Sequence, residues 1–336
     1  MQLSFLRPAS GRLVRGTWAL AGFLAAGALA LSGCGSQPSG SPSSSGGSAP
    51  QQITVVASTN VYGDIVKAVG GDKVNVTSVI SKPSQDPHSY EATSQDRVAV
   101  SKAKLVVLNG HGYDDFIVKL ANEAKLSGDA LVNAADVSGL QQPATSGSPS
   151  ASSASGNHDE FNEHVWYSQD AMKKVAQAVA EKLGKLDSAD APTFKDRAAQ
   201  WEAKLGGITT KLDAIKVSHR GEGVAVTEPV PLYLLEAAGL ENKTPEAFSS
   251  AVEAGNDVPP AALKEMQDLI SGHGVKLLAY NPQTETPQTE ALKKFAQDAK
   301  VPVTEFTETM PEGSDYIAWM TANADALAKA LDAAHA

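Results

Sequence analysis

Side chains that can bind a metal ion follow predicted strands in both halves of this sequence. His88 comes after the apolar run that predicts the second strand, Glu228 directly after the strand that opens the second half, and Glu308 after the last strand. In open parallel sheets, ligands bind outside the carboxyl ends of the strands, so we expect all three side chains at the binding edge. With a second histidine they would suit a first-row divalent metal ion held in a cleft.

The second histidine of interest, His164, lies past the fourth predicted strand in the polar segment 158–166. Nothing in the hydrophobic pattern explains a histidine beside Trp166, which favours a ligand role for His164. His111 follows the third strand, where we expect it to shape its loop; contact with the metal or with its ligands is the alternative. We expect His158 to be a surface residue, and the alternative is that it collects metal transiently.

Strands alternate with helices twice along the chain, which predicts an α/β fold of two Rossmann-like lobes with parallel sheets and the metal site in the cleft between them. The predicted boundaries are 52–187 for the N-terminal lobe, 188–218 for a connecting helix and 219–336 for the C-terminal lobe. The connecting helix carries apolar residues at helical spacing, namely Trp201, Leu205, Ile208, Leu212 and Ile215. Gly206 and Gly207 predict a weak point in its middle.

The N-terminal segment has the pattern of a lipoprotein signal peptide, predicted over residues 1–33. Three arginines precede an apolar stretch over residues 18–31, which is too short for a comfortable transmembrane helix. Small residues before Cys34 resemble the lipobox of bacterial lipoproteins, which predicts lipidation of Cys34 and an extracytoplasmic protein anchored to the cell membrane of a bacterium. The Ser-, Gly- and Pro-rich residues 34–51 predict a flexible tether.

Composition narrows the remaining possibilities. The formal net charge of −10 argues against nucleic acid as a partner, because phosphate binding needs clustered lysine and arginine. A single cysteine excludes an intrachain disulfide and a zinc–thiolate cluster. A second low-complexity segment, residues 144–157, predicts a surface loop within the N-terminal lobe.

Residues 85–91, which read Gln-Asp-Pro-His-Ser-Tyr-Glu, resemble the DPHxYE motif of the zinc and manganese substrate-binding proteins of ABC importers, the ZnuA-like or cluster A-I family. The resemblance covers the chain from about residue 52 to its C-terminus. It implies that two ligands come from each lobe, His88 and His164 from the first and Glu228 and Glu308 from the second. It also implies a monomeric binding protein that delivers its metal to an ABC permease driven by an ATPase.

Three departures from the family pattern concern the choice of metal. Asn162 and Glu163 stand where the family usually has Asp-Pro, and Glu308 stands where aspartate is usual. Glu228 replaces the histidine of zinc-type members, as in some manganese-type members. Zinc is the favoured cargo by a small margin, and manganese is next.

Two other functions remain open at this point. Histidines and carboxylates can also hold a catalytic metal, so an extracytoplasmic metal-dependent hydrolase is an alternative, although no HExxH motif is present. A surface adhesin lipoprotein is the other alternative, which these residues neither support nor exclude. We expect a binding protein rather than an enzyme.

Overall fold

The computed structural model describes residues 52–140 and 161–335. The predicted signal peptide, tether and Cys34, the low-complexity loop and His158 all lie outside the described residues. None of the described helices is long and apolar enough to cross a membrane.

The N-terminal lobe is built on a parallel sheet of four strands in the order β2-β1-β3-β4. The inner strand that contains Val55, Val56 and Ala57 is buried at all three of these consecutive positions, as expected where helices cover both faces of a sheet. In chain order the elements are β1 (Ile53–Thr59), α1 (Asn60–Gly70), β2 (Val74–Ile80), α2 (Ser94–Lys102), β3 (Leu105–Leu108), α3 (Asp115–Glu123), β4 (Leu131–Asn133), α4 (Ala134–Ser138) and α5 (Gln169–Leu186).

The C-terminal lobe repeats this plan with a second parallel sheet, in the order β6-β5-β7-β8. Its elements are β5 (Gly223–Val226), α7 (Leu232–Ala237), β6 (Glu241–Asn242), α8 (Glu246–Glu253), α9 (Pro260–Ser271), β7 (Leu278–Tyr280), α10 (Pro287–Asp298), β8 (Val303–Glu305) and α11 (Tyr316–Ala333). The predicted fold class of two parallel-sheet lobes is therefore confirmed.

A single long helix, α6 (Ala191–His219), connects the lobes. Its buried face contains every apolar residue that the sequence pattern selected, together with Phe194 and Ala198. This face packs against α1 and α5 of the N-terminal lobe and α11 of the C-terminal lobe. The helix therefore belongs to the core that both lobes share.

Direct hydrogen bonds also join the two lobes. The Asn60 side chain donates to the Met310 carbonyl (2.7 Å) and accepts from the Met310 amide (3.1 Å). The Tyr167 hydroxyl donates to the Thr307 carbonyl at 2.7 Å. The segment after β8 is therefore held against the N-terminal lobe.

Two elements of the C-terminal lobe were not predicted, the short strand β6 and the helix α8. Helix α8 has eight residues, and only Phe248 and Val252 among them are buried. One pair of apolar residues spaced by four does not establish a helical period, so this element was missed. The omission matters because Glu253, the last residue of α8, lies in the cleft.

The two glycines of α6 do not interrupt it, since the helix runs without a break through both. Gly206 and Gly207 are exposed, and a Cβ atom at either position would meet nothing within 4 Å. The two glycines therefore lower the stability of the fold through backbone entropy and not through packing.

We expect Gly206→Ala to raise the free energy of unfolding by about 0.5–1 kcal/mol, because alanine restricts the unfolded chain and fits the helix. Urea denaturation measures this change. Gly70→Ala, at the end of α1, is the matched control and should destabilise, since its Cβ would clash with the Val74 methyl groups. Equal effects of the two substitutions would contradict this account.

Candidate metal centre

Three of the four predicted ligands follow strands, and the fourth, His164, begins a short turn. His88 lies in the loop after β2, and His164 immediately precedes a 3-10 turn at Val165–Tyr167. Glu228 comes two residues after β5, and Glu308 three residues after β8. The carboxyl ends of both sheets therefore contribute side chains, as the sequence predicted.

Three of these side chains form one cluster. One ligand atom from each of His88, His164 and Glu308 lies within 4.8 Å of the others. The distance from His88 Nε2 to Glu308 Oε2 is 3.9 Å. Two donors bound to one ion at about 2.1 Å stand roughly 3 to 3.5 Å apart, so a small inward movement would bring these groups into a shared coordination sphere.

Glu228 is buried beside this cluster but is not part of it. The side-chain nitrogen of Asn281 donates to Glu228 Oε2 at 2.6 Å and to Glu308 Oε1 at 2.8 Å. The Thr284 hydroxyl also donates to Glu228 Oε2. Asn281 therefore links the two carboxylates. Asn281 is not among the residues predicted from the sequence, although it directly follows the predicted strand that corresponds to β7.

Asn162 sets the orientation and the tautomer of His164. Its Oδ1 accepts from the His164 backbone amide at 3.1 Å and lies 2.7 Å from His164 Nδ1. Because this oxygen only accepts hydrogen bonds, Nδ1 carries the proton, and Nε2 keeps its lone pair for a metal ion. Asn162 also donates to the Pro229 carbonyl of the other lobe at 3.0 Å.

Asp86 holds the loop that presents His88. One carboxylate oxygen accepts from the His88 amide at 2.9 Å, and the other accepts from the Ser89 hydroxyl at 2.6 Å. These bonds fix the conformation of the loop around His88. His111 has a φ of 56° and packs its ring on Phe161, with centroids 4.3 Å apart. In the part of the chain that the structure describes, His111 joins no cluster of ligand atoms.

One carboxylate that lies near both histidines is not among the residues predicted from the sequence. Glu253 Oε1 lies 3.6 Å from His88 Nε2 and 3.7 Å from His164 Nε2. Glu163 also lies within 4.8 Å of His88 and Glu253, measured between ligand atoms. Glu253 follows no strand, and its helix was not predicted, so no feature of the sequence pointed to it.

Three polar atoms of the side chains in the cleft are buried and, among the described residues, have no hydrogen-bond partner. They are His164 Nε2, Glu253 Oε1 and Glu308 Oε2. Buried polar atoms are almost always paired, and two of these three are carboxylate oxygens. A divalent cation bound in this cleft would give such atoms a partner, and imidazole and carboxylate donors suit a first-row metal.

Electrostatics also favour a cation here. Burial and then Glu228 raise the pKa of Glu308 to about 8, and burial and then nearby carboxylates, Glu228 first, raise the pKa of Glu253 to about 9. Burial lowers the pKa of His88 and lowers that of His164 well below its ordinary value. Near neutral pH the imidazoles are therefore uncharged, and a bound cation would compensate the crowded carboxylates.

We expect the metal-free protein to lose stability as the pH rises from about 7, above which the lowered pKa values of His88 and His164 no longer oppose the trend, to about 9. The raised pKa values of Glu308 and Glu253 mean that the folded state holds protons that the unfolded chain has released above 4.5. Because the folded state binds more protons, stability falls with pH across this window.

Urea denaturation in the presence of a chelator, repeated from pH 7 to 9, measures this slope. Glu308→Gln should flatten it, while Glu305→Gln, an exposed residue paired with Lys293, should leave it unchanged. A stability that rises over the same range would contradict the assignment.

Comparison with known proteins identifies the family. The model of the ZnuA family, described as zinc-uptake complex component A, periplasmic, matches residues 55–330. The manganese ABC transporter substrate-binding lipoprotein ScaA of Streptococcus gordonii is 24% identical over 319 residues, which cover 90% of this chain and 95% of ScaA. The iron ABC transporter substrate-binding lipoprotein MtsA of Streptococcus pyogenes serotype M1 is 26% identical over 233 residues, which cover 63% of this chain and 71% of MtsA.

Solved structures show the same fold. The periplasmic zinc-binding protein TroA of Treponema pallidum superposes with a TM-score of 0.66 at 21% identity, covering 83% of this chain and 99% of TroA. The substrate-binding protein FpvC of Pseudomonas aeruginosa, in complex with Ni²⁺, gives a TM-score of 0.67 at 21% identity, covering 84% and 97%. The predicted resemblance is thus confirmed, and the chain belongs to the ZnuA family, whose relatives are metal-binding components of ABC importers and not enzymes.

Proposed function

We propose that this protein captures a divalent first-row metal ion between its lobes and delivers it to an ABC permease for import. The observation that carries this proposal is the cluster of ligand atoms from both lobes, in which His164 Nε2 and Glu308 Oε2 are buried and have no hydrogen-bond partner among the described residues. The proposed ligands are His88 and His164 from the first lobe, and Glu228 and Glu308 from the second.

Each proposed ligand has a distinct chemical role. The imidazoles supply neutral nitrogen donors through Nε2, while the carboxylates balance the charge of the ion. Asn281 holds the two carboxylates near each other, which limits the rearrangement that binding requires. Glu228 is included in the proposed set because Asn281 links its carboxylate to that of Glu308.

Zinc is the proposed cargo, with manganese next. Zinc binds more tightly than manganese at sites built from nitrogen and oxygen donors, so zinc should win in a direct competition. Relatives and structural neighbours are named for manganese, iron, zinc and nickel, so the cargo is a property of each site and not of the fold.

The proposed place of work is outside the cytoplasm, with the protein anchored to the membrane by lipid on Cys34. The lipobox-like sequence before Cys34 and the lipoprotein names of its relatives support this proposal. Residues 34–51 would act as the tether, and a permease with its ATPase would receive the metal from the monomeric protein.

We expect His88→Ala, Glu228→Ala or Glu308→Ala to weaken zinc binding by at least tenfold, because each removes a donor from the site; loss of a supporting residue alone costs 10- to 100-fold. Isothermal titration calorimetry measures this loss. His111→Asn removes an imidazole at the edge of the cleft while tolerating the positive φ, so it should bind like the wild type. Full zinc affinity in both His88→Ala and Glu228→Ala would show that the proposed ligand set is wrong.

Asn162→Ala should lower zinc affinity by roughly 10- to 100-fold without removing any ligand, because His164 would lose the partner that fixes its tautomer. Asn162→Asp keeps the acceptor oxygen and should retain most of the affinity. Calorimetry at pH 7 separates the two variants. If alanine and aspartate behaved alike, tautomer control would not be the role of Asn162.

A further inference from the structure

We propose that Glu253 is a further metal ligand, a fifth donor from the protein, which biases the site toward manganese relative to a site without it. The inference deepens the proposed metal capture and rests on it. It concerns a residue outside the ligand set that the sequence motifs define, placed in the cleft by the end of helix α8.

The position of Glu253 Oε1 is that of a ligand. It is nearly equidistant from the two Nε2 atoms, at 3.6 Å from His88 and 3.7 Å from His164. These separations are close to the spacing of donors that share one ion bound at about 2.1 Å. They are too long for hydrogen bonds, so the histidines do not satisfy this oxygen. Within the described residues no other partner satisfies it either.

The backbone that carries Glu253 is fixed by packing. Phe248 and Val252 anchor α8 in a core cluster that also contains Ala225 of β5 and Leu278 of β7. Only 21% of the Glu253 side chain is exposed. The carboxylate is therefore presented by an element packed on the same sheet that positions Glu228.

The location is also unfavourable for an isolated carboxylate. Glu253 is the last residue of α8, where the helix dipole places its negative end. Glu163 and Glu308 lie in the same cleft and add like charge. A divalent ion bound between Glu253 and the histidines would offset the repulsion from both the helix end and the neighbouring carboxylates. A ligand role therefore gives a physical reason for a carboxylate at this position.

A fifth protein ligand changes which ion fits the site. Zinc is satisfied by four donors, whereas manganese prefers carboxylate and water oxygens and octahedral coordination. Adding Glu253 to two imidazoles and two carboxylates yields a site with five donors, three of them carboxylates. Loss of Glu253 should therefore weaken manganese binding more than zinc binding.

The test compares Glu253→Gln and Glu253→Asp with Glu246→Gln, an exposed glutamate in the first turn of the same helix. Glutamine removes the charge, while aspartate keeps it but withdraws the oxygen by about one bond length. Manganese and zinc affinities are measured separately by calorimetry. X-ray absorption of the manganese complex reports the number of oxygen and nitrogen neighbours, and thermal melts in a chelator confirm folding.

We expect both Glu253 variants to bind manganese at least tenfold more weakly than the Glu246→Gln control, with a smaller loss for zinc and an altered manganese coordination shell. Even the loss of an outer partner of a metal ligand costs 10- to 100-fold, which sets this threshold. Unchanged manganese affinity in either variant, or equal losses for both ions, would overturn the inference.

Failure of the proposed function would look different, because wild type and Glu246→Gln would then bind neither ion.

Discussion

The candidate metal site depends on one physical constraint, the burial of several carboxylates at the junction of the two lobes. Glu228 and Glu308 are nearly inaccessible to water, and Glu253 is mostly buried beside them. Ionised carboxylates lose much of their hydration at such a position, and their mutual repulsion is poorly screened. Asn281 relieves part of this cost by donating to two of them. The rest must be met by protons or by a cation, so capture of metal and stability of the fold are linked.

The two-lobe architecture follows from the need to bring donors together from distant parts of the chain. Each lobe presents the carboxyl edge of a parallel sheet, and α6 keeps the two edges facing one cleft. Contacts such as Asn60 with Met310 and Gln283 with Pro83 close this junction. Opening the cleft would separate the histidines of one lobe from the carboxylates of the other. The same movement would therefore break the interlobe contacts and release the ion.

The departures from the family pattern fit these electrostatics. Asn162 supplies the oxygen that an aspartate would offer to His164 Nδ1, but it adds no further negative charge to a cleft that already holds several carboxylates. It also donates to the Pro229 carbonyl, so one side chain both orients His164, a proposed ligand, and joins the lobes. Glu228 and Glu308 keep carboxylate chemistry on the C-terminal lobe.

The sequence by itself determined the two-lobe α/β plan, the connecting helix and the strand ends at which His88, Glu228 and Glu308 lie. Hydrophobic periodicity is a local property, and the carboxyl edge of a parallel sheet collects whatever follows its strands. The position of Asn281 directly after a strand could be predicted from the same pattern. Its hydrogen bonds to two carboxylates could not, because distances between separate loops depend on how the strands pack. Only the tertiary structure brought in Glu253, since α8 buries just two apolar residues, which belong to a core cluster that also contains residues of β5 and β7. The sequence motifs therefore identified side chains that could bind a metal ion, and long-range packing decided which carboxylates lie beside the two imidazoles.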